Sequence, residues 1–131
     1  MNAQKTVAIV GASSDRRKFG NKAVRAFAQA GWRVFPINPG ESEVEGWPAF
    51  AEVGRVPATD APLDVVSLYV PPTVGIKLLP GIAARRPKEL WVNPGAGDAA
   101  LIAQATKLGL ETRSLCSILA LGLHPSEFAD R

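Results

Sequence analysis

Short apolar runs alternate along the chain with segments in which apolar residues recur at helical spacing. Residues 5–11 form a nearly continuous, β-branched apolar run that ends at a glycine, which is typical of a strand buried on both faces. In residues 20–30 the apolar positions recur every three or four residues, and Gly31 follows as a helix stop. Residues 33–37 predict a second strand, which ends at the turn Asn38-Pro39-Gly40. These segments predict a β-α-β unit that is complete by residue 38.

The rest of the chain repeats this alternation after one irregular stretch. Residues 41–62 contain three prolines and predict only a short helix around residues 49–53. The later predicted elements are a strand over 63–70, a helix over 74–86, a strand over 89–92, a helix over 99–108 and a strand over 110–115. Parallel strands need crossover connections, and the alternating helices supply them. The sequence therefore predicts an α/β fold, a Rossmann-like open parallel sheet with helices on both faces, in a single three-layer domain over residues 1–131.

The composition favours a soluble globular protein. Of the 131 residues, 47% are hydrophobic and 21% are charged, which disfavours disordered and fibrous chains. No run approaches the roughly 20 apolar residues of a transmembrane helix. The N-terminal segment Met1-Asn2-Ala3-Gln4-Lys5 lacks the features of a signal peptide, and the single Cys116 cannot form an intramolecular disulfide. We therefore expect a cytoplasmic protein.

The charge is mildly basic and is concentrated in one short run. Fifteen Lys and Arg residues against 12 Asp and Glu residues give a net charge of +3. The compact basic run is Arg16-Arg17-Lys18. Binding of nucleic acid needs Lys and Arg gathered over a whole face, whereas three charges in a loop suit a phosphate group. The expected partner is a small anionic molecule, with no nucleic acid and no membrane.

Four loops leave the carboxyl ends of the predicted strands, where open parallel sheets bind ligands. Each loop is rich in glycine, proline or asparagine, which lets the backbone approach a ligand closely. The loops are Gly11-Ala12-Ser13-Ser14, Asn38-Pro39-Gly40, Pro71-Pro72-Thr73 and Asn93-Pro94-Gly95-Ala96-Gly97. Their common edge predicts a ligand site.

The first loop has the features of a phosphate site. Gly11 is followed by small residues and by a helix that starts near Gly20, so backbone amides, hydroxyls and a positive helix end face one place. Arg17 and Lys18 are within reach of it. The dinucleotide fingerprint Gly-x-Gly-x-x-Gly is absent, and Asn38 stands where an NAD site usually has Asp or Glu. A nucleotide phosphate is the expected occupant, with an ordinary turn as the alternative interpretation of this loop alone.

Candidate catalytic residues are few. His124 is the sole histidine and has no cysteine or carboxylate cluster near it in the sequence, which favours a surface role over a metal ligand or triad member. Cys116 is expected to be a small buried hydrophobic residue, with a reactive role as the alternative. Trp32, Trp47 and Trp91 are expected to pack in the core or at its edge. Neither a catalytic nor a metal site is predicted.

Several of these segments together resemble the small stand-alone CoA-binding domain proteins. The fold of that family is similar to the N-terminal domain of the succinyl-CoA synthetase α subunit. The resemblance covers residues 6–118 and rests on residues 7–14 (VAIVGASS), 31–39 (GWRVFPINP), 69–72 (YVPP) and 90–95 (LWVNPG), followed by Cys116. One departure is Gly40-Glu41, which stand where family members often have a basic residue.

The resemblance implies that the ligand is coenzyme A or an acyl-CoA, held through its ADP moiety at the carboxyl ends of the strands. It implies that the phosphates are approached by Gly11, Ala12, Ser13 and Ser14 and are neutralised by Arg17, Lys18 or both. It implies that the nucleotide is flanked by Asn38 and Pro39. It also implies that the adenine or pantetheine part is bordered by Tyr69, Val70, Pro71 and Pro72, and that the far side is closed by Asn93, Pro94 and Gly95.

The resemblance does not imply catalysis by this chain. The synthetase reaction uses a phosphorylated histidine in a further domain, so binding without catalysis is the first expectation. One alternative is an NADP-dependent oxidoreductase-like protein, in which Arg16 and Arg17 would recognise a 2′-phosphate, or a nucleotide-binding regulatory module. A scaffold that binds a protein through these loops would have no nucleotide affinity. A homodimer and an unknown protein partner both stay open.

Overall fold

The computed structural model describes residues 4–57 and 62–131. In chain order, the strands of the described residues are β1 (Thr6–Val10), β2 (Arg33–Ile37), β3 (Glu43–Val44), β4 (Trp47–Pro48), β5 (Val65–Leu68), β6 (Glu89–Val92) and β7 (Thr112–Ser114). The helices are α1 (Phe19–Gln29), α2 (Pro72–Ala84), α3 (Ala99–Lys107) and α4 (Ser117–Ala120), with 3₁₀ turns at Val53–Arg55 and Pro125–Glu127. Residues 1–3 of the N-terminal segment and residues 58–61 of the irregular stretch lie outside the described residues.

The main sheet has its strands in the order β2-β1-β5-β6-β7, and all neighbours are parallel. The chain passes from β1 to β2 at one edge and then crosses back to β5, on the other side of β1. The strand order therefore reverses between β1 and β5. In an open parallel sheet, the crevice beyond the carboxyl ends of these two strands is the place where ligands bind.

Helices cover both faces of this sheet. Because successive strand residues point to opposite faces, β1 sends Ala8 and Val10 to one side and Val7 and Ile9 to the other. Ala8 and Val10 belong to the core that α2 and α3 complete, whereas Val7 and Ile9 belong to the core that α1 and α4 complete. The Rossmann-like arrangement of three layers is confirmed.

The stretch after β2 differs from its prediction. β3 and β4 form an antiparallel hairpin, and the two residues between them, Glu45 and Gly46, have φ values of 51° and 85°. Two consecutive positive φ values are typical of a type I′ turn. The helix predicted over residues 49–53 is wrong, because Phe50 pairs with Ile37 as a parallel bridge and only a 3₁₀ turn forms, at Val53–Arg55. Strands of two residues are too short to leave a periodic signal in the sequence.

Other element boundaries follow the sequence more closely. β5 and β7 are shorter than their predicted ranges, whereas β2 and β6 coincide with them. Gly31 and Gly109 follow α1 and α3 with φ values of 89° and 81°, the left-handed conformation that ends helices. α2 begins at Pro72, where a missing N–H is harmless, and continues through Pro80.

The aromatic residues pack as the sequence predicts. The ring of Phe27 lies 5.0 Å from Trp32 and 6.2 Å from Trp91, centroid to centroid, and Trp47 packs on the same side of the sheet. His124 is exposed, and its ring accepts a hydrogen bond from the Ser126 amide at the start of a 3₁₀ turn. None of the helices in residues 4–57 and 62–131 has both the length and the apolar surface needed to cross a bilayer.

Candidate functional site

Residues from all four predicted loops line one pocket beyond the carboxyl ends of the strands. The pocket has a volume of about 770 Å³, and its walls include the first residues of α1 and Leu119 of α4. We call it the α1 pocket. The predicted site residues in its lining are Gly11, Ser13, Lys18, Asn38, Tyr69, Val70, Pro71, Asn93, Pro94 and Gly95.

A second pocket, of about 490 Å³, lies against α2, and we call it the α2 pocket. It has three residues in common with the α1 pocket, namely Gly11, Asn38 and Val70. Pro39 of the predicted site also lines it. The sequence analysis missed this pocket because its other walls include Val53, Val74, Leu78 and Ile82, apolar positions that a sequence cannot distinguish from core. Val74, for example, is an apolar residue of α2 that is 45% exposed, and only the tertiary structure shows that it faces a pocket and not the core.

Gly11 brings backbone into the middle of the site. It follows β1 directly, has a φ of 92°, and its amide donates to the carbonyl of Ile37 at the end of β2. A Cβ atom at this position would lie 2.9 Å from the carbonyl oxygen of Tyr69, so a larger residue would collide with the end of β5. Gly11 therefore lets the ends of three strands approach one another at the point where the pockets meet.

Asn38 ties the second loop to the first. Its Nδ2 donates to the carbonyl of Ala12 at 2.8 Å, and its Oδ1 accepts from the Gly40 amide at 2.8 Å. The Asn38 side chain is thus committed to the protein backbone on both sides. It positions the turn after β2 against the loop after β1, and with it the rim between the two pockets.

The basic run divides into three different environments. Arg16 pairs with Glu45 and also donates to the carbonyl of Arg131. Arg17 forms two hydrogen bonds to the carboxylate of Asp15, at 3.0 and 2.9 Å. Lys18 lines the α1 pocket and forms no ion pair with any described residue. Of the two cations expected at the phosphates, the structure thus brings Lys18 to the pocket, whereas Arg17 is held by Asp15.

A buried polar network forms under the α1 pocket. Asn93, which is 3% exposed, donates to the hydroxyl of Ser67 at 2.9 Å and to the carbonyl of Leu68 at 2.8 Å. Its Oδ1 accepts from the amide of Ser117 at 2.8 Å, and the hydroxyls of Ser67 and Ser117 lie 2.8 Å apart. Asn93 therefore joins the ends of β5 and β6 to the start of α4 and fixes the floor of the pocket.

Tyr69 lies beside this network, with its hydroxyl close to the side chains of Ser67 and Ser117. Its hydroxyl is buried and makes no hydrogen bond to any described residue. Burial is the main cause that raises the pKa of Tyr69 above its ordinary value of 10, with nearby Cys116 as a further cause, so the phenol stays neutral. Cys116 packs against the core on the α1 side, but it is only half-buried and also lines the α1 pocket, so it is less buried than expected.

The remaining predicted site residues shape the loops from outside the pocket linings. Ala12 is fully buried in the core on the α1 side, and Pro72 is the first residue of α2. The amide of Ser14 donates to the carboxylate of Glu41. Sequence reasoning noted Glu41 as a departure from the family but gave no sign of this contact, which joins residues 27 positions apart.

The charges of the two pockets suit an anionic ligand with apolar parts. Lys18 is the charged residue of the α1 pocket, and the α2 pocket has Lys77 and Glu52 in its wall. Within residues 4–57 and 62–131 no three His, Cys, Asp or Glu residues are grouped closely enough to hold a metal ion. The arrangement can bury apolar groups on both sides of a glycine-rich junction and neutralise negative charge beside it.

A sequence model of a family described as "CoA binding domain" matches residues 5–121. This range contains the main sheet and every predicted site residue. Among proteins with curated descriptions, none matches this chain in sequence.

Solved structures of similar fold include both small proteins and parts of larger ones. A conserved hypothetical protein from Pyrococcus furiosus is 31% identical, with a TM-score of 0.79 over 90% of this chain and 99% of its own. A protein from Thermus thermophilus is 27% identical, with a TM-score of 0.78 over 88% of this chain and 87% of its own. The dinucleotide forming acetyl-coenzyme A synthetase 1 of Ca. Korarchaeum cryptofilum, in complex with phosphate and ADP, is 23% identical, with a TM-score of 0.71. The similarity covers 85% of this chain but 25% of the synthetase, so it concerns the fold of one part of that enzyme.

Proposed function

This chain belongs to the CoA-binding domain family, and from this premise we propose that it binds coenzyme A or an acyl-CoA through the ADP moiety. The ligand lies at the carboxyl ends of the strands, across the junction of the α1 and α2 pockets. The protein holds the ligand without chemistry of its own. In this proposal residues 1–131 act as one cytoplasmic domain, with the small molecule as its partner.

The observation that carries the proposal is the pair of pockets that meet at Gly11. Coenzyme A consists of two arms, an adenosine part and a pantetheine part, joined by a diphosphate. The two pockets, of about 490 and 770 Å³, have Gly11, Asn38 and Val70 in common. A ligand with two arms fits such a site better than a compact anion does. The diphosphate lies at the junction, where a glycine backbone permits close approach.

The character of the walls supports an assignment of the two arms. The α1 pocket is the larger one, and Phe19 and Leu119 in its lining are 58% and 55% exposed. Covering exposed apolar side chains with an apolar group is favourable, by about 25 cal/mol for each Å² of apolar surface removed from water. The pantetheine arm and its acyl group therefore occupy the α1 pocket, and the adenosine part occupies the α2 pocket.

Lys18 supplies the positive charge at the diphosphate. It lines the α1 pocket at the start of α1, where the positive end of the helix adds to the attraction for an anion. Arg16 and Arg17, by contrast, are held by Glu45 and Asp15. This pairing counts against the alternative in which these two arginines recognise the 2′-phosphate of NADP.

The experiment that tests the proposal compares CoA, acetyl-CoA, NAD and NADP as stabilisers of the protein against thermal unfolding. A ligand that binds the native state alone raises the free energy of unfolding by about 2.7 kcal/mol at 100 times its dissociation constant. We expect CoA and acetyl-CoA to raise Tm and NAD to leave it unchanged. A shift with NADP alone would favour the oxidoreductase-like alternative, and no shift with any compound would contradict nucleotide binding.

A matched pair of variants locates the ligand. Val70→Asp places a carboxylate at the junction of the pockets and is expected to abolish the CoA shift. The control is Ala103→Asp in α3, an exposed position outside the linings of both pockets, where the new charge stays in water. Equal CoA-induced Tm shifts in the two variants would show that the diphosphate does not bind at the junction.

A further inference from the structure

Glu41 makes a contact that the proposed function leaves unexplained. Its carboxylate accepts a hydrogen bond from the backbone amide of Ser14, with an N–O distance of 2.5 Å. Hydrogen bonding by the Ser14 side chain, and next by its backbone amide, lowers the pKa of Glu41, so the carboxylate is ionised at neutral pH. Ser14 is the next residue after Ser13, which lines the α1 pocket. An internal anion thus lies against the loop that is expected to bind the anionic part of the ligand.

The fold holds Glu41 in this place through the turn after β2. The Asn38 side chain bridges from the Ala12 carbonyl to the Gly40 amide, and the Glu41 amide donates to the Asn38 carbonyl at 3.3 Å. These bonds fix the backbone from which the Glu41 carboxylate reaches the first loop. The contact between Glu41 and Ser14 therefore depends on the arrangement of the two loops and is not a chance position of a flexible surface side chain.

Backbone amides in a loop between a strand and a helix are the groups that bind phosphate oxygens in nucleotide sites. A carboxylate has the same charge sign and the same acceptor chemistry as a phosphate, so only one of them can accept from the Ser14 amide at a time. We propose that Glu41 is an internal competitor of the ligand's phosphate groups. It accepts from the Ser14 amide in the free protein and leaves this amide when a phosphate group of the ligand binds there. This inference rests on the proposed function, because it requires a phosphate-bearing ligand at the first loop.

The consequence is that Glu41 lowers affinity in a way that depends on ligand charge. Each phosphate that approaches the first loop must displace the carboxylate and is also repelled by it. Lys18 is the cation in the pocket lining that opposes this repulsion. Glu41 is thus a residue that sets ligand specificity, and more highly phosphorylated nucleotides suffer the larger penalty.

Isothermal titration with CoA and with 3′-dephospho-CoA tests the proposal on the wild type, Glu41→Gln and Glu43→Gln. Glutamine keeps the length and the acceptor oxygen of Glu41 and removes only the charge. Glu43 is exposed, lies two residues away in β3, and provides the matched loss of one negative charge. We expect Glu41→Gln to bind CoA about two- to fivefold more tightly than wild type, the range of an exposed charge pair, and Glu43→Gln to match wild type.

The two ligands identify which phosphate competes. A larger gain for CoA than for 3′-dephospho-CoA supports competition with the ribose phosphate, and equal gains support competition with the diphosphate. CoA binding of equal strength in wild type, Glu41→Gln and Glu43→Gln would overturn this inference and leave the proposed function intact. If neither wild type nor Glu41→Gln binds CoA, both the proposed function and this inference fall.

A second measurement does not depend on affinity. The amide proton of Ser14 reports its acceptor in NMR spectra of the labelled protein, and its chemical shift in the free wild type should follow the ionisation of Glu41 as the pH falls below 4.5, the ordinary pKa of a glutamate. The same acid titration with saturating CoA should show no dependence on Glu41, since the acceptor is then the ligand. A Ser14 signal that follows Glu41 equally with and without bound CoA would contradict displacement.

Discussion

The start of α1 lies against the first loop so closely that a Cβ atom on Gly20 would be 2.1 Å from the carbonyl oxygen of Gly11. The obstacle is backbone, so the contact cannot be relieved by rotation of a side chain. In the common dinucleotide fingerprint, the third glycine allows this close packing of helix on strand. Here the same role falls to a glycine nine positions after the first, at the end of a longer loop.

We expect Gly20→Ala to lower the free energy of unfolding by at least about 2 kcal/mol, because the helix must move away from the loop. The displacement also opens the proposed phosphate site, so CoA affinity should fall. Gly81→Ala in α2 is the control, since no atom lies within 4 Å of its added methyl group and alanine favours helix by about 1 kcal/mol. Urea unfolding measures the free energy of unfolding of both variants, and a Gly20→Ala protein as stable as wild type would contradict the prediction.

Replacement of Asn93 by alanine should destabilise the protein by about 2–4 kcal/mol. The change leaves the Leu68 carbonyl and the Ser117 amide buried without the partner they have in the native protein. Gln104→Ala is the matched control, because this α3 side chain makes no hydrogen bond within the described residues and its loss should stay within about 0.5 kcal/mol. Similar losses for the two variants in thermal unfolding would show that the network contributes nothing.

Tyr69→Phe is expected to keep or raise stability, by up to about 1 kcal/mol. Its buried hydroxyl has no partner among the described residues, so its removal ends a desolvation penalty and sacrifices no hydrogen bond. Ser67→Ala provides the contrast, because its hydroxyl accepts from Asn93 and its loss should destabilise. A loss of more than 1 kcal/mol for Tyr69→Phe would mean that the hydroxyl is bonded in solution.

Lys18→Ala should weaken CoA binding about tenfold, since a charged hydrogen bond to phosphate is lost. Lys107→Ala removes the same charge in the last turn of α3, which runs away from the carboxyl ends of the strands, and should leave affinity unchanged. The difference between the two variants should shrink as salt is added. Titration of both variants with CoA at two ionic strengths tests this prediction. Equal CoA affinities of the two variants would show that Lys18 does not contact the ligand.

Acid should weaken the contact between Asp15 and Arg17. The hydrogen bonds from Arg17 lower the pKa of Asp15 from 3.8 to about 2. A carboxyl group with a lowered pKa stabilises the fold fully above its unfolded value, and this contribution is lost as the pH falls from 3.8 toward 2. The stability difference between wild type and Asp15→Asn should therefore be constant above pH 5, fall as the pH is lowered toward 2, and vanish below pH 2. A difference that does not change over this range would show that the carboxylate has no such role.

The sheet edge at which the loops of the candidate site gather could be predicted, but the contacts of single residues there could not. Glycine and asparagine after each strand predict where the loops gather, because parallel strands end at a common edge. Arg17 and Lys18 are equivalent in the sequence as cations near a phosphate loop. The partner of Arg17 is Asp15, and nothing in the spacing of the basic run indicates that this pair forms while Lys18 reaches the pocket.

The sequence by itself determined the alternation of strands and helices, since local periodicity and glycine stops depend on residues close together in the chain. It thereby also determined that the four loops lie at one edge. Only the tertiary structure decided that the site has two pockets, and that Glu41 reaches the amide of Ser14. These features join residues far apart in the chain, at positions that β-strand register and helix packing bring together, and no local pattern records such distances.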